Sequence, residues 1–128
     1  VIFIDLNRFK EINDSHGHEV GDRVLEEIAA RLRQAVRAED LVARYAGDEF
    51  VILVDKVGDR EALENVRRHV DSVLQQPLEI DALPLLNAGG ATGAALFPDD
   101  GDSSESLLRS ADHAMYADKL ARRTERGA

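Results

Sequence analysis

The chain opens on an almost unbroken apolar run, Val1-Ile2-Phe3-Ile4-Asp5-Leu6, which predicts a strand buried on both faces. Polar residues from Asn13 to Gly21 predict a loop. Val24, Leu25, Ile28, Leu32, Ala35 and Val36 then recur at helical spacing, which predicts a helix from about Asp22 to Ala38. The runs Leu41-Val42-Ala43 and Val51-Ile52-Leu53-Val54 flank Ala46-Gly47-Asp48-Glu49-Phe50 and predict a β-hairpin with acids at its tip. Gly47 is the residue that takes a positive φ there without a Cβ clash. A second amphipathic helix is predicted from Asp59 to Gln75, stopped by Pro77. Leu78–Ile80 and Leu85–Phe97 read as further strands, Gly89-Gly90 marking a bulge in a central one. Pro98 to Asp102 reads as a turn, and Ser103 or Ser104 as the cap of a last helix running to about Arg122. The order β-α-β-β-α-β predicts an α+β fold with a ferredoxin-like or palm-type core. An antiparallel sheet is covered by helices on one face, with an additional strand region and a C-terminal helix.

At 128 residues and 44% hydrophobic, the chain fits one domain with a real core, and neither a repeat nor a low-complexity segment divides it. The net charge of −9 argues against a binder of duplex nucleic acid or of membrane surfaces, which needs a basic face. It leaves nucleotides open, because a divalent cation bridges their phosphates to acids. With no cysteine there is no disulfide frame, thiolate metal site or Cys nucleophile. No apolar stretch is long enough to span a bilayer and no signal peptide is visible, so the expected location is cytoplasmic, without membrane insertion. The start inside an apolar run, with no methionine, suggests a piece of something longer.

Chemistry concentrates at the hairpin. If the first strand neighbours it, Asp5 converges with Asp48, and convergent carboxylates repel unless a cation sits between them. A Mg²⁺ ion that also grips phosphate suits such a pair. His16 and His18 form a His-x-His, but no third ligand of suitable spacing makes it a zinc site. In isolation Asn13 reads as a turn residue, Asp22 as a helix N-cap, and Lys119 and Arg123 as a solvated helix end.

Three separated stretches carry a resemblance. Asp5-Leu6-Asn7-Arg8-Phe9-Lys10-Glu11-Ile12-Asn13-Asp14, continuing through Gly17-His18 to Gly21-Asp22, resembles the opening segment of GGDEF domains, the diguanylate cyclases. Arg44 to Phe50 resembles their signature hairpin, and Ala111 to Lys119 their C-terminal helix. The likeness covers residues 1–128 as a single domain, without the N-terminal helical segment usual in the family. Leu96-Phe97-Pro98-Asp99-Asp100-Gly101 looks most like GGDEF domains joined to an EAL phosphodiesterase domain. The resemblance implies condensation of two GTP molecules into cyclic di-GMP across a homodimer, each 3′-hydroxyl attacking the other's α-phosphate. By the same resemblance Asp5, Asp48 and the Leu6 carbonyl match ligands of Mg²⁺ or Mn²⁺. Glu49 matches the acid near the attacking hydroxyl or a second metal. Lys119 and Arg123 meet phosphate, and backbone N–H groups around Phe9 and Lys10 cradle the β- and γ-phosphates. Asn13 and Asp22 read guanine, whose N1–H and N2–H₂ suit a carboxylate acceptor. Ala46 and Gly47 line the passing substrate. Arg37 and Asp40 match an R-x-x-D product-inhibition site for cyclic di-GMP.

The chain departs from that pattern at four positions. Ala46 replaces the first glycine of the signature, adding a methyl where substrate passes. Asn7 stands where an aspartate is usual, and Arg122 and Thr124 replace a glycine and an asparagine around Arg123. Two functions follow: a cyclase, or a module that binds GTP or cyclic di-GMP and regulates a linked sensory or EAL domain. A nucleic-acid polymerase palm is disfavoured by the acidic balance and the lack of a basic template groove.

Overall fold

The computed structural model describes residues 1–81 and 83–127, with side chains as far as Arg122. Its elements run β1 (Ile2–Asp5), α1 (Phe9–His16), α2 (His18–Ala35), β2 (Leu41–Ala46), β3 (Glu49–Leu53), α3 (Arg60–Leu74), β4 (Ala91–Ala94) and α4 (Ser104–Gly127). One antiparallel sheet has the order β2-β3-β1-β4. This is the ferredoxin-like arrangement that the element order predicts, with β1 inside the sheet and β2 and β4 at its edges.

The pleat of β1 sends its side chains to two cores. Ile2 and Ile4, with Phe50 and Ile52 of β3, face Ile12, Val24, Ile28, Leu32, Leu63 and Val70 on α1, α2 and α3. Phe3 and Val51 face the other way, onto Leu107, Ala111 and Met115 of α4. The helices therefore cover both faces, not the one expected, because β1 and β3 are apolar at successive positions and a single layer would leave half of them wet. Each fully buried Ile or Leu contributes about 1.5 to 3 kcal/mol of burial.

Helix α4 lies unusually close to the sheet. A Cβ on Gly93 of β4 would stand 2.1 Å from the Met115 N and 2.3 Å from the Ala111 O. Only glycine permits that approach.

Three local expectations change. The segment from Asn13 to Gly21 is helical, not a loop: α1 and α2 meet at Gly17, whose φ is +90°. Its polarity misleads because α1 buries only Ile12. Leu78–Ile80 makes one isolated bridge, Leu78 to Leu86, and the expected strand over Leu85–Phe97 shrinks to Ala91–Ala94. Gly89, with φ +62°, ends the extended path before β4, so the glycine pair lies in a loop ahead of an edge strand and is not a bulge in a central one. Asp59, expected as the first residue of its helix, is instead the cap of α3 and accepts from the Ala62 N at 2.8 Å; for the last helix the expected Ser103 cap is present, its Oγ accepting from the Ser106 N at 3.1 Å.

Candidate active site

The hairpin tip owes its shape to three local features. Gly47 takes φ +33° in the turn. The register moves from Arg44 opposite Phe50 to Ala46 opposite Glu49, leaving Tyr45 as the extra residue of a β-bulge. Arg44 then donates from Nε to the Gly47 carbonyl at 2.8 Å, closing the tip. The bulge turns Tyr45 toward Phe3, their ring centroids 5.3 Å apart and tilted by 60°.

Strand pairing brings the acids together. Asp5 stands directly opposite Glu49, and the Leu6 N donates to the Asp48 carbonyl at 3.1 Å, extending the ladder past the end of β1. Lys119 reaches in from α4, its Nζ 2.7 Å from the Asp5 Oδ2. Burial pushes the Asp48 carboxyl above the usual carboxylate range, and neighbouring Asp5 pushes it further. Glu49 is raised for the same reasons, burial first, then Asp5, Asp112 and Asp48. The crowding calls for positive charge beyond Lys119. Among the described residues no three His, Cys, Asp or Glu side chains are placed to hold a metal by themselves. The donors at hand are the Asp5 and Asp48 carboxylates and nearby backbone oxygen, a hard-oxygen set that fits a divalent cation completing its shell with ligand oxygens.

Beside the acids, α1 begins. Its N-cap residue, Arg8, offers no side-chain acceptor, so the first-turn amides at Phe9 and Lys10 have no cap. The Arg8 N itself is anchored to the Ala88 carbonyl at 3.1 Å. An uncapped helix start, with free first-turn amides at its positive end, is a place where anionic oxygen is stabilised.

Asn13, near the end of α1, presses on the backbone of α2 at Gly21, where an added Cβ would lie 1.7 Å from its Oδ1. That oxygen is buried and has no hydrogen-bond partner. Asp22 follows Gly21 and is exposed; since α2 starts at His18, it is not the helix cap that its sequence suggests in isolation. It borders an open groove of about 560 Å³ between α2 and β2, walled by Leu25, Ala29, Val42 and Phe50. Ala46 is exposed at the tip, and the amide of Asn7 packs against Gly89. Arg123 continues α4, but its side chain lies outside the described residues.

Arg37 and Asp40 stand at the opposite end of the hairpin, where Leu41 pairs with Leu53. Asp40 is only 4% exposed and accepts from the Arg37 N at 2.9 Å, the Arg37 Nη2 at 3.2 Å and the Asp55 N at 2.9 Å. Arg37 also donates to the Asp55 carbonyl. Burial alone would raise the Asp40 carboxyl, but the hydrogen bonds from Asp55 and Arg37 outweigh it and hold it below the usual range. The structure thus brings Asp5, Asp48, Glu49, Lys119 and the start of α1 to one end of the sheet and leaves Arg37 with Asp40 at the other.

Sequence reasoning did not single out Asp112, which adds to the charge around Glu49, or the part played by Arg44 at the tip. Arg44 belongs to the signature stretch, and its spacing of three from Gly47 was the available signal. Asp112 lies in the stretch that resembles the C-terminal helix, but its effect on Glu49 arises only through the packing of α4.

A family model described as "Diguanylate cyclase, GGDEF domain" matches residues 1–125. The chain is 39% identical over 127 residues to the diguanylate cyclase TpbB of Pseudomonas aeruginosa, covering 99% of this chain and 28% of that protein. It is 38% identical over 123 residues to the cyclic di-GMP phosphodiesterase NbdA of the same organism, covering 96% of this chain and 16% of the relative. The chain therefore spans less than a third of either. Among solved structures, an EAL/GGDEF domain protein from M. capsulatus superposes with a TM-score of 0.86 at 42% identity, covering 94% of this chain and 77% of the other.

Proposed function

The chain belongs to the GGDEF family of diguanylate cyclase domains, and on that premise we propose that it condenses two GTP molecules into cyclic di-GMP across a homodimer. The observation that carries this reading is the meeting of Asp5, Asp48 and Lys119 beside the uncapped start of α1. Asp5 and Asp48, with the Leu6 carbonyl, would hold Mg²⁺ or Mn²⁺, which neutralises charge gathering on the phosphates. Lys119 exchanges its partner from Asp5 to phosphate oxygen, and the Phe9 and Lys10 amides receive the β- and γ-phosphates. Glu49, its carboxyl already pushed toward the protonated form, is poised to take the proton of the attacking 3′-hydroxyl. That hydroxyl bonds to the α-phosphorus of the facing nucleotide and pyrophosphate leaves. Asp22 accepts from the guanine edge, with Asn13 beside it. Arg123 assists on the phosphates.

One specific observation favours a second reading, a module that binds GTP or cyclic di-GMP and regulates a linked sensory or EAL domain. Ala46 sits on the exposed tip where the family signature has glycine. Incubation of the protein with GTP and Mg²⁺ separates the two: cyclic di-GMP and pyrophosphate form if the first is right, and GTP binds unchanged if only the second is. A product site at Arg37 and Asp40 belongs to either reading. Asp40 is already spent on hydrogen bonds from Arg37 and Asp55, so Arg37, with half its side chain exposed, is the member a phosphate reaches first. Arg37→Ala is expected to weaken cyclic di-GMP binding by roughly ten- to a hundredfold in calorimetry, even in an Asp48→Asn background. Binding lost with Asp48→Asn alone would place the dinucleotide at the tip. No helix among the described residues is long and apolar enough to cross a membrane.

A further inference from the structure

Lys119 has a neighbour that does different work. Asp118, the residue before it on α4, turns to the outer edge of the sheet, where its Oδ2 accepts from the Thr92 N at 2.9 Å. Because β4 is an edge strand, this amide faces away from β1 and has no ladder partner. The same carboxylate oxygen accepts from the Arg122 Nε at 3.0 Å, one turn further along the helix. Arg122 also donates to the Asp71 carboxylate on α3. Arg67 of α3 completes the ring by donating to the Thr92 Oγ1 at 2.9 Å. Thr92 is 2% exposed, so the strand end of this network is shielded from water, while Asp118, Arg122 and Asp71 around it remain partly exposed.

The two anchors of α4 are adjacent in the sheet. Thr92 is the register partner of Ile4, and Ala91 is the partner of Asp5. Asp118 therefore grips the outer strand one residue along from the point where Lys119 grips the inner one. A lysine ammonium carries three freely rotating donors on a flexible stem and has no directional fork of its own, so where it reaches is set by where its backbone is held. At Gly93 the helix already touches the strand backbone. That contact and the packing of Leu107, Ala111 and Met115 on Phe3 and Val51 fix its distance from the sheet, but apolar contacts are non-directional and set its position along β4 less sharply than a hydrogen bond does.

We propose that Asp118, held by Arg122 and Asp71, is a positioning residue for Lys119. Its bond to the Thr92 amide stops α4 from sliding along β4 and so keeps the Lys119 Nζ over Asp5 and the phosphates bound there. The role of Lys119 on phosphate rests on the cyclase or GTP-binding reading above; the placement of its ammonium against Asp5 does not.

The test separates those layers. Asp118→Ala is expected to speed hydrogen exchange of the Thr92 amide at least about tenfold, as loss of a charge-assisted bond should. In the nucleotide-free parent the bond to Asp5 is expected to protect the Lys119 ammonium from exchange, and in Asp118→Ala that protection should fall to that of a free lysine. Asp118→Asn, which keeps the shape and one acceptor, guards against a variant that does not fold, and is expected to retain the Thr92 protection while loosening Arg122. With Mg²⁺ and a non-hydrolysable GTP analogue, Asp118→Ala should weaken binding about as much as Lys119→Met, and the double variant no more than Lys119→Met alone. Factors that multiply in the double variant, or an unchanged Lys119 signal in Asp118→Ala, overturn the proposal and leave Asp118 as a cover for the sheet edge. If even the parent fails to bind the analogue, the GTP reading falls, and the ammonium signal still decides the positioning role.

Discussion

The two ends of the β2–β3 hairpin use the same kind of residue in opposite ways. At the far end, Asp40 is buried, fully hydrogen-bonded and held below the ordinary carboxylate range by Asp55 and Arg37. At the tip, Asp48 and Glu49 are pushed above it by burial and then by the charge of Asp5, with one lysine set against several acids. Paired charge stabilises a fold, whereas crowded like charge costs stability and is retained where something outside the chain supplies the missing cation. An aspartate in a hairpin is thus read by counting its donors, and the count differs between the ends.

The largest expected break in that contrast is Asp40→Ala. Loss of the common acceptor of the Arg37 and Asp55 donors at a buried position should lower stability by about 2 to 3 kcal/mol, seen as a lower urea midpoint at unchanged slope. The same change at Asp48 should leave stability unharmed at neutral pH.

Next comes Asp48→Asn, which keeps the tip's shape and removes one of the charges proposed to hold the cation. Turnover of GTP with Mg²⁺ should fall at least about tenfold, or about 1.4 kcal/mol of barrier. Equal turnover by initial-rate assay would remove Asp48 from the metal site. Smaller again is Asp22→Asn, which swaps a double acceptor for a mixed one. The preference for GTP over ATP should narrow by roughly fivefold in competition binding, and an unchanged preference would leave Asp22 as a solvated residue of α2.

The smallest effect is in pH dependence, and its sign differs between the ends. A raised folded pKa means that ionised Asp48 and Glu49 subtract from stability; the penalty holds above their folded values and fades as pH falls toward the ordinary values of about 4. Asp40, with a lowered folded pKa, stabilises fully above about 3.9 and loses that contribution only as pH falls through its folded value. Asp48→Asn should therefore raise the melting temperature slightly at pH 7, worth less than about 1 kcal/mol, with the gain gone near pH 4. Asp40→Asn should show a deficit at pH 7 that shrinks only below about pH 4. Parallel curves for the two variants would erase the distinction between the ends.

Local chemistry made much of this legible in advance. The hairpin follows from Gly47 between two apolar runs, α3 from its stripe and the Pro77 stop, and the sheet order from the succession of elements. Helix α1 was hidden because one buried residue, Ile12, leaves no periodic stripe to detect. The second helical layer was hidden because apolar positions on successive residues of β1 say that both faces are covered without saying by what. Arg37 and Asp40 were recognisable as a pair, but Asp55, the partner that uses up the carboxylate, is fifteen residues on. The contact of Lys119 with Asp5 spans 114 residues and has no local signature beyond the resemblance itself.

The close fit of Asn13 against Gly21 turns α1 and α2 into the two jaws of a gauge. Gly17 is the pivot, and the missing side chain at Gly21 is what lets the jaws close fully. The span from the amides at the start of α1 to the carboxylate of Asp22 is then a fixed length set by two rigid helices. Even one methyl at Gly21 would wedge the jaws apart, recalibrating the gauge without touching either end of what it measures.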